Sequence, residues 1–133
     1  MEATAVQEKQ QKPTVLIVED DPDTQVYMKA VLNRHYEVLL ASTGDEVKSQ
    51  LAAHPEEVTI VLMDLSLKGG EDGLMLTRYL RQTDQWRDVP IIATTAHAFP
   101  EDRSKALSAG CNAYLSKPFG HKQLLALMEQ LVS

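Results

Sequence analysis

Four short stretches of this 133-residue chain concentrate side chains able to handle charged oxygens: Glu19-Asp20-Asp21, Asp64, Thr94-Thr95-Ala96 and Ser116-Lys117-Pro118. If the apolar runs at each stretch are strands of one parallel sheet, their carboxyl ends share an edge, where the reactive groups of open α/β folds gather. Several carboxylates, a hydroxyl and an ammonium would then meet in one small pocket. Clustered carboxylates repel and raise one another's pKa unless a cation lies among them. A divalent metal resolves that conflict, and an all-oxygen donor set favours Mg²⁺ over zinc or copper. Phosphoryl transfer suits such a pocket, because it asks the protein mainly to neutralise the transferring oxygens and align the acceptor. Magnesium, Lys117 and the Thr95 hydroxyl could supply the neutralisation. Asp64 is the natural acceptor, since a carboxylate can act as nucleophile and form an acyl phosphate.

The elements that must position these groups are legible as an alternation of short β-branched runs and longer segments with helical spacing, the mark of βα units around a parallel sheet. Five units fit, with strands expected at Thr14 to Val18, Glu37 to Ala41, Val58 to Met63, Ile91 to Thr94 and Ala113 to Leu115. Three of the runs are nearly all apolar, as strands covered on both faces are. Between them, Pro22 can start a helix whose Tyr27, Met28, Val31 and Leu32 form one apolar stripe. Thr43 is placed to cap a second helix carrying Val47 and Leu51, ended by His54-Pro55. A third begins near Asp72 and buries Leu76 and Leu80; a fourth starts at Pro100 and stops at Gly110. The last shows Leu124, Leu127, Met128 and Leu131 on one side. These stripes read as core packing.

Length and composition bound the function. With 44% hydrophobic residues the chain suits a single domain, expected over 13–133, behind a polar leader, Met1 to Lys12, read as disordered. A net charge of -6 argues against nucleic acid, whose phosphates need a basic face. Cys111 stands alone, so no internal disulfide can form and nothing calls for an oxidising compartment. With no apolar stretch near membrane-helix length and no signal-peptide pattern, the expected location is the cytoplasm.

The order Val18-Glu19-Asp20-Asp21, Met63-Asp64-Leu65, Thr95-Ala96 and Lys117-Pro118-Phe119 resembles the response-regulator receiver family, from Thr14 to the C-terminus. The resemblance implies a flavodoxin-like, doubly wound, five-stranded parallel sheet of strand order 2-1-3-4-5 with five helices. It implies that Glu19, Asp20, Asp64 and the Ser66 backbone carbonyl hold Mg²⁺, and that Asp64 is phosphorylated by a histidine kinase or phosphotransfer protein. Thr95 and Lys117 would then contact the phosphoryl group, and Tyr114, three residues before the lysine, would serve as an aromatic switch. The loop Leu65-Ser66-Leu67-Lys68-Gly69-Gly70-Glu71-Asp72-Gly73 departs from the commonest pattern, with Lys68 in place of a proline and one extra residue before Asp72-Gly73.

Plainer readings stand beside these. Asp21 and Asp23 read as solvated surface, Asp21 with a share in starting the first helix. Thr94 should face away from the pocket when Thr95 faces in. Tyr114 could be an ordinary half-buried ring. The histidines share no metal-ligand spacing, although His97 could overhang the pocket; Trp86 reads as a packing plug. The expected signal leaves by protein contact through the surface of the fourth helix, fifth strand and fifth helix. The chain would act as a monomer or a phosphorylation-dependent dimer, and not as an enzyme beyond its own phosphorylation and dephosphorylation. Alternatives are a receiver-like module that is never phosphorylated and a receiver piece of a hybrid histidine kinase. A flavin-binding protein of the same strand order is disfavoured, because Glu19-Asp20-Asp21-Pro22 would repel the phosphate its first loop must hold.

Overall fold

A computed structural model describes residues 12–67, 72–96 and 99–132. Five strands, β1 (Thr14–Val18), β2 (Glu37–Ala41), β3 (Val58–Asp64), β4 (Ile91–Thr95) and β5 (Ala113–Ser116), alternate with five helices. The helices are α1 (Pro22–Leu32), α2 (Gly44–Ala53), α3 (Gly73–Gln82), α4 (Pro100–Ala109) and α5 (His121–Val132). All strand pairs are parallel and the order is 2-1-3-4-5. The period of two along the strands divides the core between the two faces. Leu16, Val18, Val61, Met63 and Ala93 pack with Leu76, Leu80 and Trp86 on one side. Val15, Ile17, Ile60, Leu62 and Ile92 pack with Met28, Leu32, Leu124 and Met128 on the other. β1 and β4 are buried at every position, which explains why their sequences carry no polar alternation.

The helix starts follow capping chemistry. Asp21 caps α1, its carboxylate accepting from the Thr24 amide at 2.9 Å and the Thr24 hydroxyl at 2.7 Å. Thr43 caps α2 through the Glu46 amide, and Asp72 caps α3 through the Leu74 amide. α4 ends on Gly110 at φ 116°, a left-handed conformation that only glycine adopts freely. Trp86 is buried in the core as a plug.

Two expectations are corrected. The stripe on α1 is narrower than its spacing implied: Met28 and Leu32 carry the burial, whereas Tyr27 is 49% exposed. Adjacent helical residues lie about 100° apart, so Tyr27 rotates past the sheet and reaches the rim of a groove with Pro118 and Phe119. Three strands also run one residue longer than expected, so Asp64, Thr95 and Ser116 are the last residues of β3, β4 and β5. Their backbones are thereby fixed by the sheet ladder, a firmer mount than a loop.

Arg81, near the end of α3, was given no role by the sequence. Its guanidinium donates to the Gly110 carbonyl at 2.9 Å, the Trp86 carbonyl at 3.2 Å and Asn112 Oδ1 at 2.8 Å. Asn112 Oδ1 also accepts the Ile91 amide at 2.8 Å, so one side chain ties α3 to the end of α4 and to the start of β4. Arg81→Ala should lower unfolding free energy in urea by about 2 kcal/mol, and Arg81→Lys should recover less than half of that loss, because an ammonium cannot span three acceptors.

Candidate functional site

The carboxyl ends of β1, β3 and β5 bring Glu19, Asp64 and Lys117 into direct contact. Lys117 Nζ lies 2.8 Å from Glu19 Oε1 and 3.4 Å from Asp64 Oδ2. Glu19 and Asp64 are 2% and 3% exposed, so this is a buried ion triad at the carboxyl edge of the sheet. The remaining oxygens are held by backbone: Glu19 Oε2 accepts the Asp21 amide at 3.1 Å, and Asp64 Oδ1 accepts the Ser66 amide at 2.8 Å. Gln25 donates to the Glu19 carbonyl at 2.5 Å and to the Ser42 hydroxyl at 3.0 Å, fixing the turn after β1. The Lys117 amide donates to the Thr95 carbonyl at 2.7 Å, so the lysine backbone is anchored to the tip of β4.

Asp20 completes the group. One carboxylate oxygen from each of Glu19, Asp20 and Asp64 lies within 4.8 Å of the others. Among the described residues, Lys117 is the ammonium paired with two of these three carboxylates, Glu19 and Asp64. The clustered carboxylates and the all-oxygen donor set fit a divalent, hard cation.

The electrostatics carry the same signature. Burial pushes the Glu19 carboxyl above its usual 4.5, and the Asp64 charge adds to the push, against the lowering effect of the Lys117 and Asp21 hydrogen bonds. Burial alone would lower Lys117, but the Glu19 hydrogen bond and the Asp64 charge outweigh it, so its ammonium is held above 10.5. The signs follow from linkage. Folded Glu19 binds its proton more tightly than the unfolded chain does, so its ionisation erodes stability as pH rises from 4.5 through the raised value. Lys117 contributes stability that is lost only as pH rises from 10.5 through its own raised value. A divalent cation must displace the Glu19 proton, so Mg²⁺ affinity should weaken by about tenfold per pH unit once pH falls below the raised Glu19 value. Calorimetric titration at several pH values should register this together with proton release, and a flat affinity from pH 7 to pH 4.5 would contradict it.

Thr95 is buried and lines a cleft of about 170 Å³ with Leu65, Ser66, Leu74, Asp102 and Lys105. Thr94 is buried equally but does not line that cleft. Tyr114 is half-buried and lines a separate groove of about 470 Å³ with Phe99, Pro100, Arg103 and Ser116. Burial, with a smaller push from Asp102, raises its hydroxyl above 10.0. Ser66 is exposed and its amide faces Asp64. His97 and the loop residues Lys68, Gly69, Gly70 and Glu71 lie outside the described residues.

Sequence reasoning missed four contributors. Gln25 sits on α1 with no local signal, because its partners are a carbonyl and a hydroxyl from elsewhere in the chain. Asp102 and Lys105 reach the cleft only because α4 folds across it. Gly73, first residue of α3, could have been read from its place beside the capping Asp72. A Cβ there would fall 2.5 Å from the Asp64 carbonyl oxygen and 3.0 Å from the Leu65 Cα, so the helix seats against the backbone of Asp64 only with glycine.

Comparison with known proteins agrees with this geometry. The transcriptional regulatory protein AruR of Pseudomonas aeruginosa is 36% identical over 124 residues, covering 90% of this chain and 49% of that protein. Hybrid signal transduction histidine kinase D of Dictyostelium discoideum is 31% identical over 123 residues, 92% of this chain but 8% of the kinase. The chain thus spans half or less of either relative. Among solved structures, the receiver domain of sensor histidine kinase PA1611 from P. aeruginosa, with a magnesium ion coordinated in its active-site cleft, is 35% identical. It superposes with a TM-score of 0.78 over 91% of this chain and 98% of that one. Because the model of the response regulator receiver domain matches residues 15–129, from β1 into the last turn of α5, the chain belongs to that family.

Proposed function

We propose that residues 13–133 act as a phosphorylation switch in which Asp64 accepts a phosphoryl group from a histidine kinase or phosphotransfer protein. The observation that carries this reading is the placement of Lys117 Nζ between the buried carboxylates Glu19 and Asp64, with Asp20 close by. A lone buried carboxylate would be costly; a carboxylate paired with an ammonium, next to other acids, is stable and still nucleophilic. Glu19, Asp20, Asp64 and the Ser66 carbonyl are the residues that would hold magnesium, and magnesium bound there would neutralise the transferring oxygens. The magnesium ion in the PA1611 receiver domain supports that assignment.

The chain's own groups then divide the work. The Ser66 amide and Lys117 hold the Asp64 carboxylate from opposite oxygens, which orients it toward the donor. As the bond from an Asp64 oxygen to phosphorus forms, the donor's phosphorus–nitrogen bond breaks and its electron pair stays on the departing imidazole. Lys117 exchanges part of its contact with Asp64 for the new phosphoryl oxygens, and the Thr95 hydroxyl donates to them. Tyr114 follows Thr95, reshaping the surface of α4, β5 and α5 that contacts a downstream protein. A swing from 1:99 to 99:1 requires about 5.5 kcal/mol, which a few charge-assisted hydrogen bonds can approach. The chain acts on its own carboxylate and on no separate substrate. Among the described residues no helix is long and apolar enough to cross a membrane, and a cytoplasmic site of action fits the lone, buried Cys111.

The test is direct. Purified protein incubated with a small phosphodonor and Mg²⁺ should gain one hydroxylamine-labile phosphoryl group, and EDTA should suppress it. Label that is stable to hydroxylamine, or that forms equally in EDTA, would refute the acyl phosphate.

A further inference from the structure

The cleft beside the acceptor carries two opposite charges that the reaction as derived does not use. Its floor is formed by Leu65 and Ser66, the residues directly after Asp64, and by Thr95. Its far wall is α4, from which Asp102 and Lys105 both face in. They are three residues apart and so share one side of the helix. Asp102 is partly buried and Lys105 exposed, so the lysine is the more open of the two to solvent. With Lys117 engaged by Glu19 and Asp64, Lys105 is, among the described residues, the cation that lines the cleft.

We propose that Lys105 is a phosphodonor specificity residue: its ammonium stabilises negative charge developing on a leaving group in the cleft beside Asp64, and Asp102 opposes it. This rests on Asp64 being the acceptor. With acetyl phosphate, an Asp64 oxygen bonds to phosphorus as the phosphorus–oxygen bond to the acetyl group breaks, and the electron pair departs on acetate, an anion. With phosphoramidate, the phosphorus–nitrogen bond breaks and the pair stays on a nitrogen that already carries three hydrogens, so neutral ammonia departs. The phosphoryl group and acceptor are the same in both reactions. Only the leaving-group charge differs, and a cation lining the cleft discriminates between them.

A single partly screened charge at this range changes a rate by about fivefold. Lys105→Met should therefore slow labelling by acetyl phosphate about five times more than labelling by phosphoramidate. Lys105→Arg should restore the wild-type ratio, and Asp102→Asn should shift it in favour of acetyl phosphate. Added salt should shrink the wild-type preference for acetyl phosphate, whereas in Lys105→Met, where the Asp102 charge alone is screened, it should not reduce that preference, a response that a purely structural role would not produce. Equal slowing with both donors, or a ratio indifferent to salt in the wild type, would overturn the assignment. If the wild type takes no label from either donor, the acceptor reading fails and Lys105 loses its role with it. If labelling occurs and only the ratio is unmoved, the acceptor stands and Lys105 alone is refuted.

Discussion

With Asp64 replaced by Asn, the protein should fold as before and take no label from any phosphodonor. The amide matches the carboxylate in shape, and its oxygen can still accept the Ser66 amide that now holds Asp64 Oδ1 at 2.8 Å. It cannot form an acyl phosphate, because an amide oxygen is a poor nucleophile and the product would be charged and unstable. Stability in metal-free buffer should stay within about 1 kcal/mol of wild type, since the loss of one Lys117 contact is offset by relief of repulsion between Asp64 and Glu19. Burial chiefly raises Glu19 in the wild type and the Asp64 charge adds to it, so Glu19 should titrate somewhat lower in the variant. Mg²⁺ affinity should drop by about 10- to 100-fold with one of three carboxylate donors gone. Intact-mass spectrometry after phosphodonor treatment, with calorimetry for the metal, reads all of this. Phosphate retained on the variant would move the acceptor elsewhere.

Lys117→Met should have the opposite profile, with modest interest for metal binding and a large cost in stability. Glu19 and Asp64 have side chains only 3% exposed, and removal of the ammonium leaves two carboxylates facing each other without a counter-charge. Breaking a buried pair in this way costs about 3–5 kcal/mol, and the 25% exposure of Lys117 places the expectation at the lower end. The defect should be largest near neutral pH and shrink as Glu19 takes up its proton, because protonation removes the unpaired charge. Saturating Mg²⁺ should restore about 2.7 kcal/mol at a hundredfold excess over its dissociation constant. Urea unfolding of wild type and variant with and without Mg²⁺ is the measurement. A variant as stable as wild type in EDTA at pH 7 would mean that the triad contributes nothing to the fold.

The strand-end residues were readable because they break an otherwise apolar run at the point where the run must stop. Asp64 after Ile60–Met63 and Glu19 after Val15–Val18 are carboxylates at positions where burial is expensive, and both are buried. The helix boundaries were readable wherever a cap has local chemistry, as at Asp21, Thr43, Asp72 and Gly110. Tyr27 misled because spacing reports the direction of a side chain along one helix and not the width of the surface it meets. Arg81, Gln25, Asp102 and Lys105 were silent for a related reason. Each acts on groups far away in sequence, such as Gly110, Asn112 or Ser42, and a polar residue on an amphipathic helix looks the same whether it faces water or a distant carbonyl. The pairing of Lys117 with Glu19 across 98 positions was accessible only through the parallel topology that aligns the strand tips.

The close approach of Gly73 to the Asp64 carbonyl makes Asp64 and the following helix one mechanical part. The gap there is too small for a methyl carbon, whereas Gly120 has open space around its missing side chain. Strain arising at the tip of β3 is therefore passed to α3 by touch, with no intervening side chain to absorb it. Anyone transplanting Asp64 and α3 into another scaffold must carry that glycine along with the aspartate, because the spacing between strand and helix is set by an atom that is not there.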